Sequence, residues 1–249
     1  MVESASGFIA VHPRPRKPVA TAARRGTAWV AAAIALVAAA LAAPAHAMDA
    51  RELARQLAPA APRLAPEVLA RATRAFACAG GRGATRAATL SVIDYSLPSA
   101  QPRLWVFDLA RKALLYEELV AHGRGSGEDR ATRFSNTEGS HMSSLGAFQT
   151  QEAYTGINGY SLRLRGLEPG INDQARERAI VIHGADYVSQ NFARRQGRLG
   201  RSHGCPAVRS EIARPLIDAI ADGSFLFVDY PDPSWLKQSA LLREDCSPG

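Results

Sequence analysis

The absences in this 249-residue chain narrow its possibilities before any motif is considered. No apolar run reaches the roughly 20 residues that a membrane-spanning helix needs; the main one, residues 29–43, is 15 residues long. There is no P-loop and no GxGxxG after a strand-like run, so no nucleotide or redox cofactor is expected. Cysteine is scarce, at three residues. His183, His203 and Cys205 are each able to bind zinc, but no CxxC or HExxH pair and no obvious fourth ligand accompanies them, so no metal is expected. The chain also lacks an internal repeat. Its basic excess largely dissolves on inspection. Of the net charge of +7, residues 1–47 carry +4 (five basic residues against Glu3), leaving 25 basic and 22 acidic residues, or +3, in the remainder. A nucleic-acid partner is therefore not expected.

What is present begins with a leader. Arg14, Arg16, Lys17, Arg24 and Arg25 precede the apolar run, and Ala45-His46-Ala47 places small residues at −3 and −1 of a cut before Met48. That order is the basic, apolar and cleavage regions of a secretory signal. Residues 1–47 are thus expected to be removed near Ala47/Met48, with an uncleaved anchor as the alternative. The body is expected in the periplasm or cell envelope, with no membrane contact beyond the export signal. Apolar content of 47% and charged content of 21% lie in the globular range, and the length accommodates one large domain or two small ones.

Residues 48–88 read as an amino-terminal helical segment. Residues 48–62 suggest a helical turn or linker. After Pro66, Val68, Leu69, Ala72 and Phe76 recur at helical spacing until Gly80-Gly81. Residues 89–240 read as a mainly β domain. Strand-like runs cover 90–95, 103–108, 114–120, 146–150, 160–164, 179–183 and 225–228. The polar stretch 122–141 is a long loop anchored by Phe134, and 184–204 is a second polar, glycine-bearing stretch. A helix is expected around 215–220, with Pro215 tolerable only near its first turn. Residues 241–249 form a tail.

Two features carry chemistry. His183 ends the apolar run 179–182 and is followed at once by Gly184, and Ser202-His203-Gly204-Cys205-Pro206 sets a cysteine after a glycine turn. Acyl transfer by a thiol needs a partly ionised sulfur, an imidazole to share its proton, backbone N–H groups aimed at the developing oxyanion, and an open face. A histidine at a strand tip and a cysteine in a glycine turn can supply these. Their residue types alone are a weak signal. An odd cysteine count in an oxidising compartment leaves one thiol over, and three pairings are allowed. The surroundings of Cys205 make it the one kept free, with Cys78–Cys246 as a clamp and two unpaired buried cysteines as the alternative.

The combination of an export signal, a strand ending in Ile182-His183-Gly184 and a loop ending in Ser202-His203-Gly204-Cys205 closely resembles the L,D-transpeptidase catalytic domain of the YkuD type, in its murein L,D-transpeptidase sub-branch. The similarity extends over residues 65–240. It implies an L,D-transpeptidase-like β-sandwich or barrel with flanking helices, acting on diaminopimelate-containing peptidoglycan stem peptides; separately, a monomer is expected. It further implies Cys205 as nucleophile, His183 as base and the Gly184 carbonyl as the group orienting the imidazole. The amides of His203, Gly204 and Cys205 match the oxyanion hole, with Ser202 and the His203 side chain shaping the site. Tyr160, Arg163 and Arg209 are candidate substrate contacts. Two departures stand out: eighteen residues separate His183 from Ser202, and Ala207 occupies a position where an arginine is common, the next arginine being Arg209. Asp186 is a possible acidic partner for His183, His122 and His141 read as ordinary loop histidines, and Arg194, Arg195, Arg198 and Arg201 make the loop before Cys205 basic. The same site would serve an L,D-carboxypeptidase or endopeptidase, and a non-catalytic peptidoglycan-binding module is the remaining alternative.

Overall fold

The computed structural model describes residues 49–81, 87–243 and 246, so the leader read over 1–47 lies outside the described residues. The described residues belong to a single compact unit. Its centre is a pair of parallel strands, β1 (Thr89–Asp94) and β8 (Phe225–Asp229), buried along their whole length. β8 is apolar from Phe225 to Val228, as suits a strand covered on both faces, while β1 buries Thr89, Ser91 and Asp94 beside Leu90, Val92 and Ile93. On one face lies α2 (Pro66–Gly81), which buries Val68, Leu69, Ala72, Ala75 and Phe76 and sets Phe76 edge-on to Phe225 at 5.4 Å. Before it run α1 (Ala50–Leu57), capped by the Asp49 carboxylate, and a 3-10 turn (Ala58–Ala60). Burial of Leu53 and Leu57 in the same core makes this stretch part of the domain.

The sheet grows outward from the centre. On one side come β2 (Leu104–Asp108) and β3 (Ala113–Glu118), and on the other β4 (Gly146–Gly156), β5 (Gly159–Gly166), β6 (Val181–Gly184) and the short β7 (Ala207–Val208), giving the order β3-β2-β1-β8-β4-β5-β6-β7. All neighbours are antiparallel except β1/β8 and β6/β7. The two edges then meet. The segment that continues β3 brings Ala121 opposite Ala207, with Ala121 N–H on Ala207 O at 2.8 Å, and Gly123 opposite Ser202. A mixed sheet whose edges meet in this way is nearly closed, barrel-like, and flanked by helices, which is the expected fold class.

Arg103 secures that closure. It is fully buried at the head of β2 and donates to Val120 O at 2.9 and 2.8 Å, to Leu97 O at 2.8 Å and to His122 Nδ1 at 2.8 Å, with its guanidinium over the Tyr95 ring at 5.0 Å. Burial pulls its pKa down to about 10, so it stays charged at neutral pH, and four hydrogen bonds to three acceptors, two carbonyls and one ring nitrogen, offset its desolvation. His122 is therefore no ordinary loop residue: burial first and the Arg103 charge second push it down to about 4, so it is neutral.

Three local expectations need correction. The helix expected around Pro215 starts five residues earlier, as α4 (Ser210–Ile220), with Pro215 in its interior. Burial of Ala213, Leu216, Ile217 and Ile220 holds it helical despite the missing N–H. Within the polar stretch 184–204 lies α3 (Gln190–Gln196), capped by Ser189 Oγ on Phe192 N–H and closed by left-handed Gly197. Between β8 and the tail, where the sequence named no element, lies α5 (Pro233–Gln238), capped by Asp232. Cys78 and Cys246 form a disulfide, Cα–Cα 5.8 Å, that ties α2 to the segment after α5. No helix among the described residues is long and apolar enough to cross a membrane.

Candidate active site

His183 owes its position to β6. The flanking Ile182 packs into the main core, and alternation turns His183 to the opposite face, where Ser161 stands across from it on β5 and Ala207 on β7. Its Nδ1 lies 2.9 Å from Gly184 O, an acceptor only. The proton therefore sits on Nδ1, and Nε2 carries a lone pair. Burial lowers the pKa of His183 and the Gly184 carbonyl pulls it partly back, so the resting ring is neutral with one fixed tautomer. Gly184 has a packing reason as well: a Cβ there would stand 2.9 Å from Ala213 Cβ on α4.

Cys205 is the one free cysteine and is only 8% exposed. The parallel pairing of β6 and β7, with His183 N–H on Pro206 O at 3.4 Å, lays the cysteine turn alongside β6. The thiol donates to Ala179 O at 3.6 Å rather than to the imidazole, and the Val181 amide also addresses the sulfur. Burial is the largest influence and raises its pKa; the Val181 N–H and the positive charge of Arg178 oppose it. At rest the site pairs a neutral thiol with a neutral imidazole.

The turn around Cys205 is fixed from inside and outside. Ser202 Oγ accepts the Gly204 N–H at 3.1 Å and donates to Cys205 O at 2.6 Å. Ser143 Oγ donates to Gly204 O at 3.0 Å while accepting Gly123 N–H at 3.0 Å. Gly204 sits at φ +125°, and a Cβ would meet Ile180 Cδ1 at 2.8 Å and Met142 O at 2.9 Å, so both conformation and space demand glycine. Its amide is engaged by Ser202, which leaves the His203 and Cys205 amides as the candidate oxyanion donors. His203 is exposed and packs edge-on against His141 at 4.6 Å.

The remaining candidates divide. Arg163 shares the His183 face of β5 and pairs with Glu152 at 3.0 Å while its guanidinium stacks on Tyr154 at 4.2 Å. Tyr160 points to the other face, where its hydroxyl donates to Asp218 and Arg214 stacks on its ring at 3.9 Å, both on α4. Arg209 grips Glu118 through two bonds of 2.8 and 2.6 Å and Glu211 at 2.7 Å, on the rim of a cleft of about 480 Å³ that Glu117, Ser189 and Arg194 also line. Asp186 accepts from Ser210 Oγ at 2.7 Å, and among the described residues the hydrogen bond of the His183 ring is the one to Gly184 O. Arg198 and Arg201 both pair with Glu128. The residues that the sequence did not single out are Arg178 and Ser143. Neither lies in a motif, and only tertiary contact reveals them.

A nearly closed mixed sheet with flanking helices thus holds a cysteine turn beside the strand that carries His183. A family model described as the L,D-transpeptidase catalytic domain matches residues 60–229, and the chain belongs to that family. Among solved structures, an L,D-transpeptidase from Mycobacterium smegmatis aligns at 15% identity and TM-score 0.37 over 58% of this chain and 59% of its own. L,D-transpeptidase 1 from Mycobacterium tuberculosis aligns at 15% identity and TM-score 0.33, over 57% and 62% respectively. An L,D-transpeptidase from Stackebrandtia nassauensis aligns at 12% identity and TM-score 0.34, over 74% and 92%. The chain thus spans about 59% of the length of the Mycobacterium smegmatis protein. No curated protein matches the chain.

Proposed function

We propose that this protein is an exported murein L,D-transpeptidase that acylates Cys205 with a peptidoglycan stem peptide. The observation that carries the reading is the juxtaposition just described: the sole unpaired sulfur, in a turn only glycine permits, runs beside a strand whose last histidine has its Nδ1–H fixed and its Nε2 open. The family acts on peptidoglycan stem peptides, which supports that substrate. In the reaction, the Cys205 thiol turns from Ala179 O, and Nε2 of His183 takes its proton as sulfur attacks the carbonyl of the L-centre of diaminopimelate. The Gly184 carbonyl holds the resulting imidazolium, and the His203 and Cys205 amides face the oxyanion. Collapse breaks the C–N bond, D-Ala leaves with the proton from Nε2, and a thioester remains. An acceptor amine then attacks the thioester, gives its proton to His183 and restores the thiol. The Cys78–Cys246 disulfide supports an oxidising compartment and hence export.

Intact-protein mass after exposure to a carbapenem tests this. One adduct is expected on Cys205, absent in Cys205→Ala and slow in His183→Ala. Absence of any adduct on folded wild-type protein would overturn the reading in favour of a binding module. Incubation with purified muropeptides then separates transfer, which yields dimers, from L,D-carboxypeptidase or endopeptidase action, which yields shortened products.

A further inference from the structure

Arg178 stands just before β6 and makes an unusual set of contacts. Its Nη1 donates to Ser135 O at 2.6 Å and Ser144 Oγ at 2.5 Å, and its Nη2 to Met142 O at 2.7 Å and Ser140 Oγ at 3.3 Å. All four partners are neutral and all lie on the 135–144 loop. Whereas Arg198, Arg201 and Arg209 each face a carboxylate, no ion pair among the described residues includes Arg178. Its charge is left uncompensated in a half-buried place. That place is the cysteine turn. A Cβ on Gly204 would lie 3.6 Å from Arg178 Nη2, and the carbonyl of the adjacent Ala179 receives the Cys205 thiol at 3.6 Å. The same loop supplies Ser143, whose hydroxyl holds Gly204 O.

We propose that Arg178 is the positioning residue of this site: its N–H groups lock the 135–144 loop against the cysteine turn, and its unpaired charge stabilises the Cys205 thiolate once His183 accepts the proton. The inference rests on Cys205 as the nucleophile. A guanidinium has the right chemistry because it is never deprotonated in this range and can keep its charge while every terminal N–H is used structurally. Consistent with this, Cys205 is the only group whose charge raises the pKa of Arg178, against the lowering by burial, and Arg178 in turn favours the thiolate. The other titratable groups that interact with the Cys205 charge are Tyr95 after β1 and Tyr187 before α3; His183 lies on β6, paired with the strand that follows the turn, and His203 in the turn itself. Both tyrosines are pushed up to about 12 by burial first, so they stay neutral through the titration.

The test is the pH dependence of Cys205 alkylation by iodoacetamide, read as intact mass on wild type, Arg178→Gln, Arg178→Lys and Ser140→Asp. Arg178→Gln is expected to raise the alkylation midpoint by about one unit. Arg178→Lys, which keeps the charge, is expected to stay near wild type. Ser140→Asp leaves the guanidinium in place but sets a carboxylate beside Nη2, and should raise the midpoint as well. If Arg178→Gln does not fold, the other two variants decide. Arg178→Lys moving the midpoint as far as a neutral residue, or Ser140→Asp leaving it unmoved, would overturn the proposal. Alkylation needs no acyl transfer, so a wild-type protein that ignores carbapenem while the variants shift the midpoint as stated would sink the enzyme reading and leave the coupling of Arg178 to the Cys205 thiolate standing.

Discussion

Replacing Arg71 with Met isolates one buried charge pair and gives a sharp stability test. Asp229 ends β8 with its side chain fully buried, and Arg71, from α2, is 24% exposed and meets it with two bonds of 2.7 Å. Breaking a buried pair by removing one partner costs about 3–5 kcal/mol, because the survivor is left charged in a poor solvent. The partial exposure of Arg71 lets some water reach the gap, so about 3 kcal/mol is expected at neutral pH. The pH dependence distinguishes this from lost packing. In the wild type, burial already holds the Asp229 pKa above its ordinary value despite Arg71, with Asp94 and Glu67 adding to the rise. A raised folded pKa means the folded state holds the proton longer. That contribution to stability is therefore complete below the unfolded pKa and is lost as pH rises through the folded one. Removing Arg71 raises the folded value further and widens the window, so the difference between variant and wild type should shrink as pH falls and Asp229 takes a proton. Only the lost hydrogen bonds, about 1 kcal/mol, should then remain. Urea unfolding of both proteins, followed by tryptophan fluorescence at several pH values, measures this. A difference that is constant from neutral to acid pH would refute the reasoning.

Four further outcomes are expected. Because burial lowers the His183 pKa, the acid limb of carbapenem acylation should fall below the ordinary imidazole value of about 6.5; a limb at or above that value counts against His183 as a neutral base. Gly204→Ala forces a side chain into φ +125° and to 2.8 Å from Ile180, so it should destabilise the fold by about 2–4 kcal/mol and slow acylation at least about tenfold, seen by thermal melts and adduct kinetics. Replacing Cys78 and Cys246 with Ser opens a loop of sequence separation 168, for which the chain-entropy relation gives about 5 kcal/mol, measurable by comparing chemical unfolding midpoints. Arg209→Ala should lower stability through loss of the Glu118 contact yet leave the Cys205 adduct forming, since that guanidinium is held by carboxylates; complete loss of the adduct would instead make it a substrate contact.

The strands were legible because burial imprints itself on sequence. Phe225–Val228 is wholly apolar and Leu90–Ile93 is interrupted only by Ser91, and both proved central. Periodicity likewise exposed the buried stripe of α2. What escaped depended on caps or on distant partners. The start of α4 is polar, and its apolar stripe begins only at Ala213, so the proline seemed to mark the beginning. In α3 only Ala193 is buried, and a helix without an apolar stripe leaves little periodic signal. The cysteine turn and the strand-end histidine could be named from local spacing. Whether Tyr160 or Arg163 shares their face depends on the β5/β6 register, which pairs Ser161 with His183 and Arg163 with Val181. Arg178, in the run Arg176-Glu177-Arg178, looks like any solvated charge until its four loop acceptors are seen.

Tying Cys78 to Cys246 has a chemical consequence for the third sulfur. Cys205 has no second thiol on its own chain to condense with, so oxidation could not be parked reversibly as an internal bridge. Protection must come from its setting instead. A sulfur kept protonated and recessed reacts slowly with peroxides and small disulfides, which prefer exposed thiolates. The enclosure that makes the resting thiol sluggish is thus what would preserve it in an oxidising compartment.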